Sequence, residues 1–168
     1  MGQKSRKREL KKAHKIFPLV KAYYESEREK LEILEEILKD MEQILRMQSQ
    51  DKKEIAKVTS LLRKCKNPDS HMFLVDRGNE DFWSTLLNLK KIAVKQQKMD
   101  DRGRLFLLSE TENLLDMVRE ILRRPRPDFW AMAVCQITKG FKELADLPYE
   151  AKLEVIEKEK LLLEEGVN

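Results

Sequence analysis

The chain has 168 residues, of which 41% are apolar and 38% are charged, with only five glycines and five prolines. This length allows one domain with a real core, and the dominance of helix-forming residues excludes a strand-rich fold class. The formal net charge of +4 is small, but residues 1–16 carry seven Lys or Arg against a single Glu. We therefore predict an all-α protein that begins with a basic N-terminal arm over residues 1–16.

The segment after the arm predicts a long helix. Pro18 indicates a kink or a new helix start, because its missing N–H is harmless in a first helical turn. From there, residues spaced three and four apart share one helical face to about residue 47, with a mean period of about 3.5. These residues are Phe17, Val20, Tyr24, Glu27, Leu31, Leu34, Leu38, Met41 and Leu45.

A second helix is expected over about residues 52–65, after a break at Ser49-Gln50-Asp51. The two helices can form an antiparallel hairpin over residues 17–66 or one continuous rod, and the sequence leaves both open. Turn-forming residues then predict a loop over residues 67–79. We expect its apolar centre, Met72-Phe73-Leu74-Val75, to pack against the helices.

The rest of the chain predicts a bundle of three to four shorter helices over residues 80–168. The first of them covers about residues 80–98. Ser109 and Glu112 have the spacing of a capping box and predict a helix start that is followed by a stop before Pro125. Asp128 is the predicted cap of a helix over 129–145, and the last helix opens at Pro148 and ends at Gly166. We thus expect a single helical domain over residues 17–168.

Two groups of cations are candidate contacts for nucleic acid or an acidic partner, since Lys and Arg neutralise phosphates and release counterions. The arm group also has the charge density of a nuclear-import signal. The alternative for the arm is a solvated chain end. The alternative for the second group, which lies at or near predicted helix ends, is that its cations stabilise helix C-termini. The candidates are Lys4, Arg6, Lys7, Arg8, Lys11, Lys12 and Lys15, and then Arg63, Lys64, Lys66, Arg119, Arg123, Arg124 and Arg126.

The apolar seam, defined as Leu31, Leu34, Leu38, Met41 and Leu45, has two interpretations. Such stripes are usually intramolecular core in a helical bundle. The alternative is that this face pairs with a helix of another chain. Glu27 favours that alternative slightly, because a charge at a seam position costs stability and selects partners.

Enzymatic signatures are weak. Neither histidine, His14 or His71, has a catalytic or zinc-binding partner at diagnostic spacing. Pro127-Asp128 with Glu150-Ala151-Lys152 resembles the Pro-Asp…Glu-x-Lys pattern of metal-dependent nucleases, but these residues open predicted helices, whereas that chemistry needs adjacent strands. We predict no enzyme, no cofactor, no metal and no small-molecule substrate.

The sequence therefore favours a non-enzymatic helical interaction subunit of a larger assembly, whose basic arm contacts nucleic acid or an acidic partner. The alternative is a protein-binding or self-associating coiled-coil adaptor whose arm is a targeting signal. The expected partners are another protein or a second copy, and RNA or DNA. An intracellular location, cytoplasmic or nuclear, is expected because Cys65 and Cys135 lie in apolar helical contexts as reduced thiols, and neither a membrane span nor a signal peptide is apparent.

Overall fold

All the regular secondary structure in the part of the chain that is described is helical. The structure, a computed structural model, describes residues 2–47, 52–65, 73–94 and 101–166. Within these ranges it contains no strand, six α-helices and one 3₁₀ helix, which confirms the all-α prediction of a long N-terminal helix with shorter ones. The elements are α1 (Gln3–Arg46), α2 (Lys52–Lys64), α3 (Glu80–Val94), α4 (Asp101–Leu122), α5 (Phe129–Thr138), the 3₁₀ helix (Phe141–Leu144) and α6 (Tyr149–Glu165).

Helix α1 includes both the basic arm and Pro18, so a new helix start at Pro18 is wrong, while the alternative of a kink there stays a prediction. Proline inside a helix costs about 3 kcal/mol. Tertiary contacts before the proline offset this cost, because Ala13 is fully buried and the Arg6 guanidinium donates to the Glu164 carbonyl oxygen. Helix α1 ends at Arg46, and the predicted break at residues 49–51 lies outside the described residues.

The predicted capping box is wrong, because α4 begins at Asp101 and places Ser109 and Glu112 inside the helix. Contacts with residues distant in sequence support this earlier start of α4. The Arg104 Nη1 donates to the Leu45 carbonyl oxygen at 2.6 Å, and Leu107 is fully buried. A cation on the carbonyls at the end of α1 is favourable, and this gain is absent from any local sequence signal.

The predicted boundaries are confirmed near α5 and α6. Asp128 caps α5, since its Oδ1 accepts hydrogen bonds from the amides of Trp130 (2.9 Å) and Ala131 (3.2 Å). Helix α6 begins after Pro148 and ends at Gly166. The predicted helix over 129–145 is interrupted, however, because Gly140 has a φ of 87° and the chain continues as a 3₁₀ helix. The end of the predicted helix 80–98 falls outside the described residues beyond Val94.

The chain divides into two compact units. The first comprises Met1–Arg28, Asp69–Gly78 and Pro125–Asn168, and the second Glu29–Pro68 and Asn79–Arg124. Helix α1 therefore contributes its first part to one unit and its remainder to the other. The prediction of a single domain over residues 17–168 stays a prediction.

In the second unit, α2 packs against α3 and α3 packs against α4. The second part of α1 runs antiparallel to α4, because Glu35 pairs with Arg119 at 3.7 Å while Arg46, further along α1, pairs with Glu112 at 3.0 Å. All five residues of the apolar seam are at most 2% exposed. The buried apolar residues of the shorter helices include Leu62, Phe82, Leu86, Leu89, Leu107, Leu114, Leu115, Val118 and Ile121.

In the first unit, α5 packs against α6, and α1 contacts both. Phe73, Leu74 and Val75 are each at most 3% exposed, so the predicted packing of the loop's apolar centre is confirmed for these three residues. Met72 lies outside the described residues. The other buried apolar residues of this unit include Ala13, Val20, Tyr24, Ala131, Met132, Ala133, Val134, Cys135, Leu144, Tyr149, Ile156 and Leu163.

Two buried ionisable side chains hold the segment Phe73–Val75 in place. The Glu27 carboxylate of α1 accepts hydrogen bonds from the amides of Phe73 (2.6 Å) and Leu74 (3.2 Å). The Lys152 ammonium of α6 donates to the Phe73 carbonyl oxygen (2.9 Å) and to Asp76 Oδ1 (3.3 Å). Buried charges are tolerated only when they are hydrogen-bonded, and these bonds satisfy backbone groups of a segment with no secondary structure. We name Glu27, Lys152 and the backbone of Phe73 and Leu74 the polar latch.

Burial raises the pKa of Glu27 to about 7 from its usual value of 4.5. The amide of Phe73, the Tyr23 side chain, the amide of Leu74 and the charge of Lys152 all lower this pKa, but the loss of water around a residue that is 2% exposed outweighs them. The folded chain therefore holds this proton to a higher pH than the unfolded chain does.

The free energy of unfolding should fall as the pH rises from about 4.5 to about 7, by up to about 3 kcal/mol from Glu27, and this contribution should be constant above that range. The sign follows because only the folded state retains the Glu27 proton in this window. Glu27→Gln should remove most of this slope in urea unfolding between about pH 5 and about pH 8. Glu29→Gln, an exposed change on the same helix, should keep it. Equal slopes in both variants would contradict the assignment.

Two buried tyrosines in the first unit give a matched pair for stability. Tyr24 is fully buried and its hydroxyl has no hydrogen-bond partner among the described residues, whereas the Tyr149 hydroxyl donates to the Pro125 carbonyl oxygen. Tyr24→Phe should leave stability unchanged or raise it by up to about 1 kcal/mol, while Tyr149→Phe should lower it by about 1 kcal/mol. Chemical denaturation of both variants measures the difference. A larger loss of stability for Tyr24→Phe than for Tyr149→Phe would contradict the hydrogen-bond partners assigned to the two hydroxyls.

Candidate nucleic-acid interface

Six cations at the start of α1 share one exposed side of the helix. We name Lys4, Lys7, Arg8, Lys11, Lys12 and Lys15 the cationic face, and all six are exposed. At 3.6 residues per turn they fall within an arc of about 140°, and they extend over about 17 Å of helix. The opposite side of the same helix is buried through Ala13, Val20 and Tyr24. Burial of that side therefore directs the cations outward.

The cations of this face have no acidic partner in the part of the chain that the structure describes. Across the described residues, none of the six forms a salt bridge with an acid. The nearest acid in sequence, Glu9, projects from the other side of the helix and is half-buried. The positive charge of this surface is therefore not neutralised by the acids of the described residues.

Arg6 differs from the other cations of the arm. It is half-buried, and its Nη2 donates to the Glu164 carbonyl oxygen in the last turn of α6. Gly166 follows there with a φ of 62°, and a Cβ at this position would lie 2.8 Å from Arg6 Nη1. Arg6 therefore stabilises the C-terminus of α6, and the glycine leaves room for it.

Two residues of the second group of predicted contacts form salt bridges, and most of the others lie at helix ends. Arg119 lies 3.7 Å from Glu35 in the second unit, and Arg126 lies 2.6 Å from Glu25 in the first. Arg63 and Lys64 are exposed in the last turn of α2, Arg123 is exposed just after α4, and Arg124 is half-buried. Lys66 lies outside the described residues. Cations at helix ends and in salt bridges favour the structural interpretation of this group.

An aromatic pair borders the cationic face. His14 is exposed, and its ring lies 4.6 Å from that of Trp130, centroid to centroid, at an angle of 39°. Phe17 contacts the same indole at 6.4 Å. The Trp130 Nε1–H donates to Glu164 at 2.8 Å, which fixes the ring. Sequence reasoning missed this pair because only the fold brings Trp130 of α5 to α1, and the linear order shows no aromatic among the cations.

The apolar seam is interior. Its residues range from 0% to 2% exposed within this chain, so pairing with another chain would require α1 to leave its own core. Its use by a partner stays a prediction. Neither cysteine forms a disulfide within the described residues, and Cys135 is buried as expected whereas Cys65 is only half-buried. Burial raises the pKa of the Cys135 thiol to about 11.

The residues of the nuclease-like pattern have other partners. The Asp128 carboxylate caps α5 and also lies 2.9 Å from the Lys160 ammonium, and Lys152 belongs to the polar latch. Glu150 is exposed in the first turn of α6. Among the described residues, no group of three or more His, Cys, Asp or Glu is placed to hold a metal ion.

Comparison with known proteins adds no functional information. No family model, no curated protein and no solved structure matches the chain. Within the described ranges, no helix combines the length and the apolar character that crossing a membrane requires. A function must therefore be argued from the surface itself.

Proposed function

We propose that this chain is a non-enzymatic, helical nucleic-acid-binding subunit whose cationic face contacts the phosphate backbone. The observation that carries the proposal is a set of six exposed cations on one side of a regular helix, none of which pairs with an acid in the described ranges. Because the opposite side is buried, the spacing of the cations is set before binding, and less conformational entropy is lost on association.

The composition of the face favours nucleic acid over a protein partner. Within its arc, the segment from Lys4 to Lys15 presents only Lys and Arg, and five of the six are lysines. Protein–protein interfaces are depleted in lysine and rely on buried aromatic and apolar residues. Protein–nucleic acid interfaces are more polar and much more positive, and contacts to phosphate supply most of their non-specific affinity.

Binding to duplex DNA should depend steeply on salt. If all six cations meet phosphates, affinity should fall about a thousandfold between about 50 mM and about 200 mM salt. Changing Lys4, Arg8, Lys11 and Lys15 to Gln leaves two cations of the face, and the same salt interval should then cost only about tenfold. Fluorescence anisotropy with a labelled oligonucleotide measures both slopes, and circular dichroism checks that α1 stays helical.

A matched control removes four charges elsewhere. Lys39, Lys57, Lys91 and Lys158 are exposed lysines outside the cationic face, and their change to Gln lowers the net charge by the same amount. This variant should keep the salt slope of the original chain. Equal slopes in the two variants would show that binding follows net charge alone. An absence of binding at low salt would remove the nucleic-acid role and leave the protein-binding hypothesis.

A further inference from the structure

We propose that His14 and Trp130 form a stacking site for an unpaired base, so that the chain binds single-stranded nucleic acid in preference to duplex. The inference rests on the proposed function, because the cationic face would supply the phosphate contacts. The stacking site adds a contact to a base, which the cationic face does not provide, and it favours single-stranded nucleic acid.

The aromatic pair lies next to a cation of the cationic face. Lys11 and His14 are three positions apart on α1, so their side chains are neighbours on the helix surface. The His14 ring in turn lies 4.6 Å from that of Trp130. A nucleotide whose phosphate meets Lys11 therefore has its base close to the aromatic pair. In a duplex the bases are stacked within the helix, and only an unpaired base can reach such rings.

The Trp130 ring is held in a fixed orientation. The Trp130 amide donates to Asp128 Oδ1 at 2.9 Å and its indole N–H donates to Glu164 at 2.8 Å, so both the backbone and the ring are held. Phe17 supports the indole from α1. A rigid aromatic ring loses little entropy when a base stacks on it.

The charges around the aromatic pair also differ between its two sides. On the α5–α6 side, the Asp128 carboxylate is paired with the Lys160 ammonium at 2.9 Å, and the Glu164 carboxylate accepts the indole N–H of Trp130. On the α1 side lie the exposed cations of the cationic face. A phosphate is therefore attracted to the α1 side, which leaves the attached base free to reach the rings.

The test compares two strands of equal charge. An oligothymidylate of about 12 nucleotides and an abasic strand of the same length differ only in their bases. The chain should bind the oligothymidylate about fivefold to about a hundredfold more tightly, the range that one stacked base contributes. His14→Ala, a change at an exposed position, should reduce this preference without altering affinity for the abasic strand. Leu19→Ala, an exposed truncation beyond the cationic face, should change neither.

A spectroscopic readout locates the contact. Trp83→Phe leaves Trp130 as the sole tryptophan, and oligothymidylate should quench its fluorescence while the abasic strand should not. Equal affinity for both strands, or tighter binding of a duplex of the same length, would overturn the inference and leave the proposed function intact. Failure of every strand to bind at low salt would remove the proposed function, and the stacking site with it.

Discussion

A buried carboxylate and a buried ammonium determine how the first part of α1 is oriented. Glu27 accepts the amides of Phe73 and Leu74, and Lys152 donates to the carbonyl oxygen of Phe73. Glu27 lies on the side of α1 that also buries Tyr24. Holding that side against the segment Phe73–Val75 fixes the rotation of the helix about its axis. The six cations are then directed to solvent, and His14 is placed beside Trp130.

The cations of this chain fall into two classes by their partners. Arg6 and Arg104 donate to carbonyl oxygens near the ends of α6 and α1, while Arg119 and Arg126 pair with glutamates. These side chains stabilise the two units. The cationic face lacks such partners among the described residues. This division separates cations that stabilise the fold from cations that are exposed to solvent, and Arg6 shows that both classes occur within the same arm.

The sequence predicted the elements whose signals are local. Periodic apolar residues indicated α1, and a single side chain, Asp128, was enough to place the start of α5. The sequence-based prediction failed where contacts between distant residues decide the outcome. Arg104 of α4 donates to the Leu45 carbonyl oxygen at the end of α1, and α4 begins earlier than the predicted cap at Ser109. The cationic face was visible as composition, but its regular geometry was not. The aromatic pair could not be foreseen, because His14 and Trp130 meet only after α1 packs against α5.

Hydrogen exchange at the amides of Phe73 and Leu74 tests the polar latch most directly. Both amides belong to a segment outside the helices, and each donates a hydrogen bond to the Glu27 carboxylate, which should protect them from exchange. The account predicts that they exchange as slowly as the buried amides in the middle of α5. Exchange at the rate of an unstructured peptide would contradict it, because the rotation of α1 and the outward direction of its cations would then lack their anchor.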